Sequence, residues 1–241
     1  MYLATVRSVF AMVCVLAPAL AFGASYDCLI EPEMTIKLGS PATGIIDEIP
    51  VDRGDEVKKG EVVARLESDL ERTELEMAKT KYGYLKSQYE RLKVVRSKSL
   101  ASDEIVDQAK SQMDSAKLEM RRREILLRER SIKSPVNAIV VDRLLAPGEY
   151  VYEQTPILKL AKTDTLNVQV LLPTDLYRRV KEGMDATVTL QAPVKGTYHA
   201  KVKVIDKIMD AASSSFGVEL TLKNPNLSIP AGLRCNVTFA F

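Results

Sequence analysis

Among 241 residues there is no Trp, one His and three Cys, and the two signs of charge nearly cancel, with 34 Lys plus Arg against 32 Asp plus Glu. Each shortage excludes something. A metal centre takes several His or Cys ligands at short spacing, and a chain holding only His199, Cys14, Cys28 and Cys235 does not supply them. A formal charge of +2 lacks the concentrated positive face of a nucleic-acid binder. There is no Gly-rich phosphate loop, no Gly-x-Ser-x-Gly elbow and no His-Glu-x-x-His. Acid pairs such as Asp47-Glu48 and Asp103-Glu104 are chain neighbours, and nothing sets two carboxylates across a cleft. His199 alternates with Tyr198 and Ala200 and reads as an exposed strand residue. The expectation is a protein that is not an enzyme, with no cofactor, no metal and no nucleic-acid partner. The rest, 46% hydrophobic and 27% charged with 11 Gly and 11 Pro, is ordinary folded-domain composition.

Long apolar runs are scarce as well. Val9 to Leu20 is apolar apart from Cys14 and Pro18, follows Arg7, and precedes the small residues Ala21, Gly23 and Ala24. That order reads as a secretory signal peptide over residues 1–21, cut after Ala19-x-Ala21. The competing reading is a retained anchor, but about 12 to 14 apolar residues reach only about 20 Å as a helix, against a bilayer core of about 30 Å. Removal of the segment leaves Cys28 and Cys235 as the two cysteines of an exported, nearly neutral chain.

Residues 40–66 and 134–160 match at a constant offset of 94 without a gap. Ser40-Pro41 pairs with Ser134-Pro135, Gly54 with Gly148, Val57 with Val151, Val63 with Ile157 and Leu66 with Leu160. Each copy predicts a strand, a Gly turn and a second strand. One such hairpin is marginal in water, so the copies are expected to pack as a small β-sandwich. Between them the apolar period changes to 3.5. Leu75, Ala78, Tyr82, Leu85, Tyr89 and Leu92 follow it, and so do Val106, Ala109, Met113, Ala116, Met120 and Leu127, with Arg123 interrupting.

This predicts two helices with a narrow seam, broken near Ser97 to Ala101 and forming an antiparallel hairpin of about 28 residues a side and about 42 Å. A capping box of Ser68 with Glu71 is expected to start the first, and Ser102 the second. The remaining positions, crowded with Lys, Arg and Glu, read as a solvated polar rod with an exposed tip. The C-terminal third alternates as strands through Ala186, Val188 and Leu190, then Tyr198 to Val204, Phe216 to Leu222 and Leu233 to Phe239. A small antiparallel barrel follows, with one short helix over 173–181.

A duplicated motif split by a helical hairpin resembles the periplasmic adaptor family, also called membrane fusion or haemolysin-D-like proteins. The residues that carry the resemblance are Ser40-Pro41-Ala42-Thr43-Gly44 with Val51 to Gly60 in one half. In the other they are Ile132-Lys133-Ser134-Pro135 with Pro147-Gly148-Glu149. The resemblance implies an α+β chain: a split lipoyl-like β-sandwich, an inserted antiparallel coiled-coil hairpin and a small antiparallel β-barrel. The segments are 26–68 and 131–164 for the lipoyl-like halves, 69–130 for the hairpin and 165–241 for the barrel. It further implies a periplasmic subunit that links an inner-membrane efflux transporter, of the resistance-nodulation-division type, to an outer-membrane channel and assembles as a homo-oligomer, a hexamer in similar proteins. Family members often carry Arg-x3-Leu-x6-Ser at the tip. Arg91, Val95 and Ser102 hold those positions here, with Val in place of Leu, and are the expected channel contact. A type I secretion adaptor is the alternative within the family.

From another class, lipoyl and biotinyl carriers share the fold, but where such carriers commonly place the modified Lys this chain has Leu70, after Glu67-Ser68-Asp69, at a helix start expected to be buried. On the strand reading Tyr26, Cys28 and Ile30 share a face, as do Leu233, Cys235 and Val237. If the two strands pair, an oxidising periplasm would join Cys28 to Cys235; otherwise they are two buried thiols.

Overall fold

The computed structural model describes residues 24–239, so the expected signal segment lies outside the described residues. The first copy of the repeat supplies β2 (Gly44–Glu48), β3 (Glu56–Val57) and β4 (Val62–Leu66), following a long β1 (Ser25–Gly39). Two helices come next, α1 (Asp69–Ser97) and α2 (Asp103–Glu129). The second copy supplies β5 (Ser131–Lys133), β6 (Ala138–Arg143), β7 (Tyr150–Val151) and the long β8 (Pro156–Pro173). The chain closes with β9 (Asp185–Leu190), β10 (Gly196–Asp210), β11 (Ser215–Lys223) and β12 (Arg234–Phe239).

The two copies are interlocked. Within each, equivalent residues pair: Ile46 with Leu66 and Val140 with Leu160. Between them, β2 pairs with β7 and β3 with β6. The exchange is reciprocal. The Gly54 N–H donates to the Val140 carbonyl and the Gly148 N–H to the Ile46 carbonyl, each at 2.8 Å. Both glycines hold positive φ, 97° and 87°, in the turns between the strands, a conformation that costs glycine nothing. Ser40 and Ser134, both buried, each donate a hydroxyl to the carbonyl two residues on, Ala42 at 2.5 Å and Val136 at 2.6 Å. The two copies of the expected sandwich therefore interlock, each lending its shortest strand to the other. Strands of two residues cannot satisfy their own backbone groups, and trading them between copies pairs those groups.

β1 and β8 tie this body to a second one. The strand order β1-β12-β9-β10-β11-β8 returns to β1, so six antiparallel strands close on themselves. Ile157, Leu158 and Leu160 of β8 enter the core of the repeat, whereas Leu166, Val168, Val170 and Leu172 enter the core of the closed ring with Phe216 and Leu220. No chain break marks the passage from one core to the other. At the crossing Lys162 Nζ donates to Glu33 at 2.7 Å, and this bond holds the lysine pKa above its ordinary value, with Asp164 adding attraction. Cys28 and Cys235 lie directly opposite one another in β1 and β12, their Sγ atoms 2.06 Å apart.

Three local expectations give way. The helix foreseen over 173–181 is reduced to a 3₁₀ turn, Thr174–Leu176, because Pro173 belongs to β8. Val204, expected to alternate inward after Val202, is exposed because the β10–β11 register slips between those residues. Leu70, expected to be buried, is exposed on α1.

Candidate functional site

The hairpin is rooted by one arginine. Arg130, which ends α2, forms an ion pair with Glu71 in the first turn of α1 and donates through Nη1 to the Thr43 carbonyl at 2.6 Å. Gly44 makes room for it, since a Cβ there would lie 2.7 Å from that nitrogen. The expected capping box is absent for this reason: Glu71 is taken by Arg130, and the Ser68 hydroxyl accepts from Arg72 at 3.2 Å instead. Further out, Arg123 bridges Glu74 of α1 and Glu119 of its own helix. The Arg123 hydrogen bond holds the Glu119 carboxyl below its usual range, and the same bond raises the arginine. Only Leu75 of α1 and Val106, Ala109 and Ala116 of α2 are fully buried. Small residues on α2 keep the seam thin, and the cross-helix ion pairs fix its register.

The tip is a tight turn with a locked backbone. Lys98 and Leu100 both donate their N–H to the Val95 carbonyl at 3.2 Å, and Ser99 holds a left-handed φ of 60°. The Ser97 hydroxyl donates to the Val94 carbonyl at 2.8 Å. Ser102 caps α2, its Oγ accepting from the Ile105 N–H at 3.5 Å. Arg96 and Asp103 close the turn with an ion pair across it.

On this frame Arg91 and Val95 stand one turn apart on the same face of α1, while Ser102 opens the other helix. The three make no hydrogen bonds with one another. Arg91 and Ser102 are exposed, and Val95 is about a third exposed. The sequence reading passed over an exposed apolar residue of the turn: Leu100 is 75% exposed, with Val94 and Ile105 also open to solvent near it. A leucine in a polar turn, where nothing buries it, was the available signal. A guanidinium, a hydroxyl and several bare aliphatic side chains on a rigid turn suit contact with a protein surface. Among the described residues no group of three or more His, Cys, Asp or Glu could hold a metal ion, and no helix is long and apolar enough to cross a membrane.

Residues 34–162 match the family model described as the CzcB-like, barrel-sandwich hybrid domain. An uncharacterized protein of Haemophilus influenzae is 24% identical over 193 residues, covering 80% of this chain and 50% of that protein. The cation efflux system protein CzcB of Alcaligenes sp. is 20% identical over 206 residues, covering 79% of this chain and 39% of that one. The chain thus spans half or less of the length of these relatives. Among solved structures, a chimeric MacA–MexA protein containing the Pseudomonas aeruginosa MexA α-hairpin domain superposes with a TM-score of 0.76 at 22% identity, covering 90% of this chain and 82% of that one. That likeness is one of fold.

Proposed function

Because the chain belongs to the CzcB-like barrel-sandwich hybrid family of periplasmic adaptor proteins, we propose that it is the periplasmic subunit of a tripartite efflux system, joining an inner-membrane transporter to an outer-membrane channel. The reading assigns the hairpin tip to the channel, through Arg91, Val95 and Ser102, the closed six-stranded ring to the transporter, and a homo-oligomer to the working form. The observation that carries it is the hairpin itself. A rod of two helices, rooted by Arg130 and ending in a locked turn, presents Val94, Leu100 and Ile105 open to solvent at that turn. Burying them on a partner removes apolar surface from water at about 25 cal/mol per Å², and the arginine fork supplies direction.

The test is Arg91→Asp combined with Ser102→Arg in a strain whose resistance to an exported compound depends on this protein. Loss of resistance, with the protein still present and folded, is expected. Unchanged resistance removes the tip from the contact.

A further inference from the structure

Where the repeat body meets the closed ring, the chain leaves a hollow of about 310 Å³, a size that takes small organic molecules. One wall comes from the repeat: Val57 of β3 and Ala138 of β6, both members of that body's core. A second wall is the loop between β11 and β12, which brings Pro225 and Leu227. β8, which crosses from one body to the other there, contributes Thr163 and Asp164.

Both walls are fixed in place. The Asn137 side-chain oxygen accepts from the Lys59 N–H at 2.9 Å, which ties the start of β6 to the turn after β3. Asn224, 2% exposed, donates through Nδ2 to the Thr163 and Ile229 carbonyls, each at 2.9 Å, and so pins the loop to β8. Within that loop Leu227 holds a left-handed φ of 51°, which a residue other than glycine adopts only where its surroundings impose it. A site whose walls are already held loses little freedom when it is filled.

The polar groups of the hollow are short of partners. Thr163 is 8% exposed, and its hydroxyl has no hydrogen-bond partner among the described residues. It sits where the β1–β8 ladder slips, from Pro32 opposite Leu166 to Met34 opposite Lys162, which leaves Thr163 to Thr165 between paired positions. A buried hydroxyl left unpaired is costly, and nothing in the chain's own contacts accounts for this one. Glu56 also lines the hollow, is exposed, and forms no ion pair or side-chain hydrogen bond among the described residues. Asp164 is only loosely held, 3.7 Å from Lys162, whose ammonium lies closer to Glu33 at 2.7 Å. Two carboxylates against the one ammonium of Lys58 leave the lining with net negative charge. Apolar walls select a hydrophobic body, and acceptors without donors select a head that is positive and donates only, which describes an ammonium group.

We propose that this junction hollow binds a small organic amine in its ammonium form. Its apolar body lies between the Val57–Ala138 wall and the Pro225–Leu227 wall, and its head donates to Glu56, Asp164 and the Thr163 hydroxyl. The site is independent of what the hairpin tip meets and of how many copies assemble.

The test titrates the purified protein, its cysteine pair intact, with tryptamine up to millimolar concentration. The chain has no Trp, so the indole fluorescence belongs to the ligand alone. Saturable binding at one site is expected, with a melting temperature that rises as tryptamine is added. Tryptophol, which carries the same ring without the charge, should bind about tenfold more weakly, and indole-3-acetate should not bind. Glu56→Gln should weaken tryptamine about tenfold, and Leu227→Arg should abolish its binding, with circular dichroism unchanged in both. Thr163→Val separates a ligand contact from a structural role: weaker tryptamine binding with an unchanged or higher urea midpoint is expected. A lower midpoint with unaltered binding would give the hydroxyl to the fold and remove it from the site. Absence of tryptamine binding, binding that survives both Glu56→Gln and Leu227→Arg, or equal or tighter binding of tryptophol or indole-3-acetate overturns the proposal.

Discussion

Arg130 at the end of α2 grips Glu71 at the start of α1, so the two strands of chain that leave the β body are tied at the point where they leave it. The same guanidinium reaches the Thr43 carbonyl, which extends the tie into the first copy of the repeat. Most of both side chains is shielded from water.

Arg130→Ala leaves a shielded carboxylate without its partner, a change that costs more than the pair contributes. A loss of about 2 to 3 kcal/mol in unfolding free energy is expected by urea titration. Glu71→Gln should cost less, since the amide still accepts from Arg130. Equal and negligible effects would show that the root is held by packing alone.

Ser40 and Ser134 test the reciprocal construction. Ser40→Ala and Ser134→Ala each remove the donor to a carbonyl in a buried turn, with an expected cost of about 1 to 2 kcal/mol. Because the two residues hold equivalent places, the two single losses should agree within about 0.5 kcal/mol. A large inequality would mean that the two turns are not held alike.

Joining Cys28 to Cys235 closes a span of 207 residues. In the loop-entropy account such a link stabilises by about 2 to 5 kcal/mol. Cys28→Ser with Cys235→Ser should therefore lower the melting temperature while leaving the circular dichroism of the hairpin unchanged. Unaltered melting, together with two thiols that react with maleimide after unfolding of the wild-type protein, would show that no bond forms.

The pH profile follows from two groups of opposite sign. Glu119 is held below the usual carboxylate range, chiefly by the Arg123 hydrogen bond. It contributes stability above the unfolded carboxylate value of about 4.3, lost as pH falls through its lower folded value. Lys162 is held above its usual range, chiefly by the Glu33 hydrogen bond. It contributes below the unfolded lysine value of about 10.4, lost as pH rises through its higher folded value. Thermal melts should be level between about pH 5 and 10 as far as these two groups are concerned. Glu119→Gln should soften the acid limb and Lys162→Met the alkaline limb, and limbs unmoved by either change would assign the profile to other groups.

Much of the hairpin was legible in order. Its seam repeats every 3.5 residues and its stop and start chemistry is local, so helices at Asp69–Ser97 and Asp103–Glu129 fall where the apolar spacing and Ser102 put them. The gapless match of the two β segments was legible for the same reason, because Gly54 and Gly148 mark turns that only a few residue types adopt. The capping box was misread. Ser68 and Glu71 have the right spacing, but a partner 59 residues away competes for the carboxylate and wins. At the tip the resemblance singled out Arg91, Val95 and Ser102, whereas Leu100 stood outside any pattern.

Residues near one another in the chain therefore determined the helices, the turns, the paired repeat and the thin seam, since propensity, capping and apolar period act over one or two turns of backbone. Tertiary structure alone decided that the copies trade their shortest strands, that β1 and β8 pass through two cores, and that Arg130 holds the root. It also decided which apolar side chains of the hairpin stay bare. Those outcomes depend on which distant groups compete for the same hydrogen bond or the same shelter from water, and that competition is settled only when the chain has closed on itself.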